Sequence, residues 1–169
     1  MQIERIWAMP NKWTFLIKPI ANLLQEEMAT HHLWVDLFAG ENSPAAITND
    51  LRPEMPTEYH LPALTFLRMI KDESFDDVLY DPPYSPRQVK ECYDDVDNAP
   101  SFDGRSTFWS DTLTECTRIL KPGGKLICFG WNSMGGTMSR GFELKRILLV
   151  PHGGRHNDTI VTVELKTTK

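Results

Sequence analysis

Asp77-Val78-Leu79-Tyr80-Asp81-Pro82-Pro83-Tyr84-Ser85-Pro86 is an apolar run that stops at a carboxylate followed by two prolines. Proline has no N–H to give to a strand ladder, so a buried strand has to end there. In an open α/β sheet, ligands bind beyond the carboxyl ends of the strands, so this tip is where a site belongs. The same alternation of short β-branched runs and turn residues recurs on both sides. Strands are expected at Leu33–Phe38, Ala46–Thr48, Asp77–Tyr80, Lys125–Gly130, Glu143–Val150 and Thr159–Leu165, with a very short one at Glu58–His60. Helical spacing appears over Thr14–Met28, Pro62–Ile70, Arg87–Tyr93 and Thr107–Leu120, where Lys121-Pro122-Gly123-Gly124 supplies a stop. Strands alternating with helices imply a mostly parallel sheet, and the turn-rich Pro151–Asp158 between the last two strands predicts an antiparallel C-terminal hairpin.

At 169 residues, 41% hydrophobic and 24% charged, the chain fits one globular domain. Residues 1–30 read as an N-terminal segment and helix and 31–169 as the sheet, and no insertion is long enough for a separate recognition domain. No apolar run has the length of a membrane span and the start lacks a secretory pattern, so a cytoplasmic protein is expected. Cys92, Cys116 and Cys128 form no C-x-x-C pair, which suits a reducing compartment and points away from a metal site. The net charge of -5 opposes general attraction to phosphates, so a nucleic-acid partner would need a local basic patch. The acidic stretch Tyr93–Ser106 reads as a mobile loop.

The residues at the strand tip suit one kind of chemistry. An exocyclic amino nitrogen on a base is a poor nucleophile because its lone pair is spread into the ring. Two acceptors gripping both of its N–H groups, such as the Asp81 carboxylate and the Pro82 carbonyl, would draw it toward tetrahedral geometry, and Pro83 holds the backbone stiff. Tyr84 offers a face on which a flipped base could stack.

This D-P-P-Y string resembles the catalytic motif of amino-directed methyltransferases, typified by the N6-adenine DNA enzymes, and the likeness extends to small methyltransferase-like proteins of phages and prophages. The resemblance implies a Rossmann-like class I methyltransferase sheet, S-adenosylmethionine as cofactor and a nucleic-acid substrate, with DNA ahead of RNA. It further implies a role for Val35-Asp36-Leu37-Phe38-Ala39-Gly40, which matches the family's D-x-F-x-G cofactor motif. There Gly40 lets backbone approach the cofactor, Phe38 flanks it, and Asp36 faces the methionine ammonium. Asp50, at the end of Ile47-Thr48-Asn49-Asp50, takes the position of the carboxylate that binds the ribose hydroxyls. Met9–Phe15 resembles the N-terminal cofactor segment, with Phe15 on the methionine part and Thr14 able to cap the helix that follows.

The pattern departs from the family in two places. Glu41–Ala46 and Arg52–Thr57 are too short for helical crossovers, so the early crossovers are expected to be reduced to turns. That would uncover a sheet face, to be covered by the N-terminal helix or by a second copy in a homo-oligomer. Pro62 stands where relatives often place an acid for the cofactor's adenine. On the substrate side, Arg87, Lys90, Arg140, Lys145, Arg146, His152, Arg155 and His156 are expected to form a basic rim. Trp131-Asn132-Ser133-Met134-Gly135-Gly136 would supply a glycine-flexed loop beside the target, with Trp131 and Asn132 touching it. The readings that remain open are DNA N6-adenine methylation, the same reaction on RNA, and a catalytically inactive binding protein of the same fold.

Overall fold

The computed structural model describes residues 1–93, 96, 107–133 and 135–167. Among these residues seven strands form one sheet: β1 (Gln2–Arg5), β2 (Trp34–Asp36), β3 (Ile47–Thr48), β4 (Phe75–Tyr80), β5 (Leu120–Gly130), β6 (Phe142–Val150) and β7 (Thr159–Lys166). Their order across the sheet is β1-β6-β7-β5-β4-β2-β3. Every pairing is parallel except those of β7, which runs antiparallel to both β5 and β6. The expected mostly parallel sheet with an antiparallel C-terminal hairpin is therefore present. The β2–β3 connection, residues 37–46, contains no helix, and residues 49–62 run as turns and a single bridge before the helix Ala63–Met69 completes the β3–β4 crossover.

Among the described residues four α-helices flank the sheet: α1 (Lys18–Glu27), α2 (Ala63–Met69), α3 (Pro86–Tyr93) and α4 (Phe108–Ile119). On one face α1 and the turn before it bury Phe15, Ile17, Ile20, Leu23 and Leu24 against Trp34, Leu79, Ile127, Leu148, Val161 and Val163. Each such side chain removed from water contributes about 1.5–3 kcal/mol before entropy is counted. On the other face α2 and α4 cover Val35, Val78, Tyr80, Leu126 and Cys128 through Phe66, Leu67, Cys116 and Ile119. The face left open by the short β2–β3 connection is thus covered by α1, which removes the reason for expecting a second subunit there.

Several local expectations are corrected. The helix expected over Thr14–Met28 is a 3-10 turn at Thr14–Leu16 followed by α1, and Pro19 sits in the first turn of α1, where its missing N–H costs nothing. Thr14 caps neither element. Glu58–His60 forms only the Asn49–Tyr59 bridge. The edge strand β1 escaped sequence reading because its four residues lie at or near the surface and carry no apolar alternation. Lys121–Gly124 does not stop a helix from outside it: α4 gives way to β5 at Leu120, and the four residues make an excursion within β5. There Gly124 is required, because a Cβ on it would stand 2.3 Å from the Asp76 carbonyl oxygen of β4. The acidic stretch expected to be a mobile loop lies outside the described residues, apart from Tyr93 and Val96.

Candidate active site

Because β1 to β6 run in one direction, their carboxyl ends all reach the same edge, and the β6–β7 turn joins them there. β4 delivers Asp81-Pro82-Pro83-Tyr84 to the middle of that edge. Two clefts open beside it. The first, about 510 Å³, is lined by the N-terminal segment (Lys12 to Phe15), the β2 turn (Phe38, Ala39, Gly40), Asp50, Asp81 to Tyr84 and the 152–157 hairpin. The second, about 520 Å³ and more apolar, lies toward α4 and is lined by Tyr80, Trp109, Leu113, Phe129, Asn132 and Arg140 among others. Pro82, Tyr84 and Trp131 line both.

Asp81 is held by two hydroxyls. The Tyr84 hydroxyl donates to Asp81 Oδ1 at 2.5 Å, and the Thr14 side chain also hydrogen-bonds to this carboxyl. Burial pushes the Asp81 pKa up to about 6, with the Tyr84 and Thr14 hydrogen bonds pulling the other way. At neutral pH Asp81 is mainly ionised and can accept. Burial, followed by the Asp81 charge, pushes the Tyr84 phenol well above its ordinary value, so it stays a donor. The strand tip is braced from two sides. The Tyr84 backbone N–H donates to Gln88 Oε1 at 2.6 Å, and the Trp109 indole N–H donates to the Pro83 carbonyl at 2.9 Å. The Tyr84 ring meets Trp131 edge to face, 5.6 Å between centroids.

The β2 turn and Asp50 form one unit. Asp50 accepts the Gly40 N–H on Oδ2 at 3.0 Å and the Arg52 N–H on Oδ1 at 2.9 Å, and burial raises its pKa. Gly40 has φ +54°, and a Cβ there would stand 3.0 Å from the Trp13 ring, so this position favours glycine twice over. Asp36 lies behind the turn. It is fully buried and accepts the Phe38 N–H at 3.0 Å and the Ser43 hydroxyl at 2.6 Å. Burial pushes its pKa up to about 7 despite those two bonds, so it organises the turn from outside the cleft lining.

Of the residues expected to form the site, the first cleft gathers Phe15, Phe38, Gly40, Asp50, Asp81, Pro82, Pro83, Tyr84, Trp131, Arg155 and His156. Asn132 lines the second. Arg87 lines neither and points to solvent on α3, paired with Glu91 at 2.7 Å. The expected basic rim is dispersed. Lys145 pairs with Glu143, Arg146 is held by Glu4, Glu26 and Glu27, and Arg140 binds Ser110 on α4. His152 is buried rather than on a rim. Its Nδ1–H donates to the Ala8 carbonyl at 2.9 Å, so Nε2 is left to accept the Thr159 hydroxyl at 2.9 Å.

The glycines of the 131–137 loop serve close packing instead of looseness. The buried Glu164 carboxylate accepts the Gly136 N–H at 2.7 Å and the Thr162 hydroxyl at 3.0 Å. A Cβ on Gly135 would fall 1.7 Å from Glu164 Oε1. Sequence reading did not identify Thr14, Gln88, Trp109 or Glu164. The first looked like a cap, and nothing in the spacing of the other three marked them.

Among the described residues, no helix is long and apolar enough to cross a membrane, and no cluster of His, Cys, Asp or Glu is placed to hold a metal ion. No protein-family model matches the sequence. A curated relative, the type II methyltransferase M.BamHI of Bacillus amyloliquefaciens, is 32% identical over 78 residues, which are 44% of this chain and 18% of that protein. The chain thus matches less than a fifth of the relative's length. Among solved structures, the putative methyltransferase yhhF of Escherichia coli superposes with a TM-score of 0.61 at 12% identity, over 95% of this chain and 91% of that one. The Burkholderia thailandensis 1,6-didemethyltoxoflavin-N1-methyltransferase, solved with its substrate and S-adenosylhomocysteine, gives a TM-score of 0.59 at 13% identity, over 89% and 78%. TrmN of Thermus thermophilus gives 0.57 at 18% identity, over 89% and 49%. The strand order, the single antiparallel strand and these likenesses establish the Rossmann-like class I methyltransferase fold.

Proposed function

We propose that the protein transfers a methyl group from S-adenosylmethionine to an exocyclic amino group, with N6 of adenine in DNA as the substrate the motif favours. The observation that carries this reading is the position of Asp81 and Pro82. Asp81 lines the first of two clefts of similar size, and its neighbours Pro82 and Tyr84 line both.

The first cleft fits the cofactor. Its volume of about 510 Å³ lies in the range of small-molecule sites, roughly 300–1,000 Å³. Gly40 offers a turn with no side chain of its own, Phe15 and Phe38 offer apolar faces, and Asp50 has a carboxylate already oriented by two backbone N–H groups. Each of its oxygens keeps a further lone pair for a ribose hydroxyl. Asp36 supports the same turn from behind, so its effect on the methionine end is exerted through the turn. When bound, S-adenosylmethionine supplies a methyl group on a sulfonium, which departs as a neutral thioether.

The chain's own residues would do the rest. The second cleft, walled by Trp109, Trp131 and Tyr84, receives the planar acceptor. One amino N–H is held by Asp81 Oδ and the other by the Pro82 carbonyl. The Trp109 bond to the neighbouring Pro83 carbonyl keeps that backbone fixed. As the nitrogen gains its methyl group it loses a proton, for which Asp81, ionised at neutral pH, is the nearest acceptor.

Two measurements test this reading. Calorimetric titration with S-adenosylmethionine should show saturable binding that is lost or much weakened in Asp50→Ala. Transfer of labelled methyl to adenine-containing DNA should disappear in Asp81→Ala while cofactor binding persists. No cofactor binding at millimolar concentration would refute the proposal, and transfer to RNA alone would move the substrate.

A further inference from the structure

The mouth of the first cleft on its β6–β7 side carries exposed indoles and cations, of which only Trp131 has a place in the acceptor cleft. Trp7, just beyond β1, is 60% exposed, and its indole Nε1 lies 3.5 Å from where a Cβ on Gly153 would stand. It therefore rests on the hairpin that presents Arg155 and His156. Trp131, 40% exposed, stands between the two clefts. Lys12 lies 4.5 Å over the Trp13 ring and lines the same cleft. Elsewhere Arg87, Arg118, Lys121, Lys125, Lys145 and Arg146 are paired with carboxylates. Lys12 and Arg155 have no acidic partner among the described residues, in a chain whose net charge is -5.

We propose that the surface running from Trp7 over Arg155 and His156 to Trp131, together with Lys12, is a track for single-stranded DNA leading into the second cleft. Exposed indoles separated by unpaired cations match a chain of bases and phosphates, each base offering a face for stacking. A duplex hides its base faces, so Trp7 and Trp131 would contribute little to binding one. Lys12 and Arg155 can neutralise phosphates without reading sequence. This deepens the reading under Proposed function and rests on it for the choice of DNA.

The test uses the full chain and a fluorescein-labelled single strand of roughly 15 nucleotides, within the span such surfaces cover. Anisotropy is read for that strand, its duplex and the RNA of the same sequence. The single DNA strand should bind at least about tenfold more tightly than the duplex. Trp7→Ala should weaken it about 5- to 150-fold, the range that stacking of a base on an aromatic ring supports. Arg155→Ala should reduce the slope of log affinity against log salt by about 0.7, and Arg155→Lys should restore it. Trp7 and Arg155 are exposed, so an unchanged melting temperature distinguishes lost contact from lost fold. Equal affinity for duplex, or undiminished binding by both alanine variants, would overturn the proposal, and tighter binding of RNA would overturn the choice of DNA. Single-strand binding with no methyl transfer supports this track while refuting the enzyme reading. Methyl transfer together with undiminished binding by both alanine variants does the reverse.

Discussion

Tyr84→Phe isolates one hydroxyl at the centre of the site. The ring, its edge contact with Trp131 and the backbone bond to Gln88 remain, while the 2.5 Å bond to Asp81 is removed. That bond stabilises the ionised form of a carboxyl that burial has raised to about 6. A hydrogen bond to a charged group contributes about 1.5–3 kcal/mol, and one pKa unit corresponds to about 1.4 kcal/mol. Loss of the hydroxyl should therefore raise the Asp81 pKa by about one to two units, to roughly 7–8, with Thr14 still donating. In single-turnover methyl transfer the acid limb should move by that amount. The rate at pH 7 should fall about 2- to 10-fold, the drop in the ionised fraction, and the rates should converge near pH 9. An acid limb that stays in place, or a loss of the same size at every pH, would refute the assignment of Tyr84 as the group that keeps Asp81 ionised.

Gly40→Ala must adopt φ +54° and push its methyl group toward Trp13; it should cost about 1–2 kcal/mol of stability and weaken S-adenosylmethionine binding, read by denaturant melts and calorimetry. Gly135→Ala must displace the Glu164 carboxylate and leave a buried charge short of a donor, a loss of about 1–3 kcal/mol visible as a lower melting temperature. The pH dependence of stability should favour mild acid. Asp36 and Asp81 are raised by burial to about 7 and about 6, and Asp50 and Glu164 are raised as well. A carboxyl with a folded pKa above its unfolded value takes up a proton on folding, so stability falls as pH rises through that window. The melting temperature should drop between about pH 5 and pH 8 in scanning calorimetry, and a rise over the same interval would contradict the burial of these four groups.

The parts of the fold that were legible in the sequence are those set by period and punctuation. Val78-Leu79-Tyr80 before Asp81 and two prolines reads as a buried strand reaching a carboxyl edge, and the short span 41–46 leaves no room for a helix between β2 and β3, whereas 52–57 leads only to the Asn49–Tyr59 bridge and α2 follows it before β4. β1 was not legible, because an edge strand in contact with a neighbour on one side alone needs no apolar alternation. Within the site, Asp81, Gly40 and Asp50 could be placed because strand ends converge on one edge. The partners that tune them could not. Thr14 reaches Asp81 from 67 residues away in the chain, and Trp109 reaches Pro83 from α4. The glycines at 135 and 136 read as flexibility because the carboxylate that demands them, Glu164, arrives from the last strand.

The N-terminal segment explains how a sheet with no helix between β2 and β3 can still hold an ordered site. Asn11 Oδ1 accepts the Trp13 N–H at 2.9 Å, which fixes the turn. From there three consecutive residues do different work. Trp13 lies on Gly40, at the start of the β2–β3 connection. Thr14 hydrogen-bonds to Asp81. Phe15 is buried against Phe129, 5.2 Å between ring centroids. One short strand of backbone thereby ties the β2 turn, the tip of β4 and the core under α1 into one unit. A helix amino terminus would have offered directed N–H groups over the same turn. Here Asp50 receives the Gly40 and Arg52 N–H groups, so the turn is ordered by a carboxylate below it and an indole above it. Order in the β2 turn and order at Asp81 are consequently not independent: a change that lifts Trp13 from Gly40 also draws Thr14 from Asp81, because the two side chains leave adjacent residues of a turn closed by the Leu16 and Ile17 backbone bonds to Trp13 and Thr14.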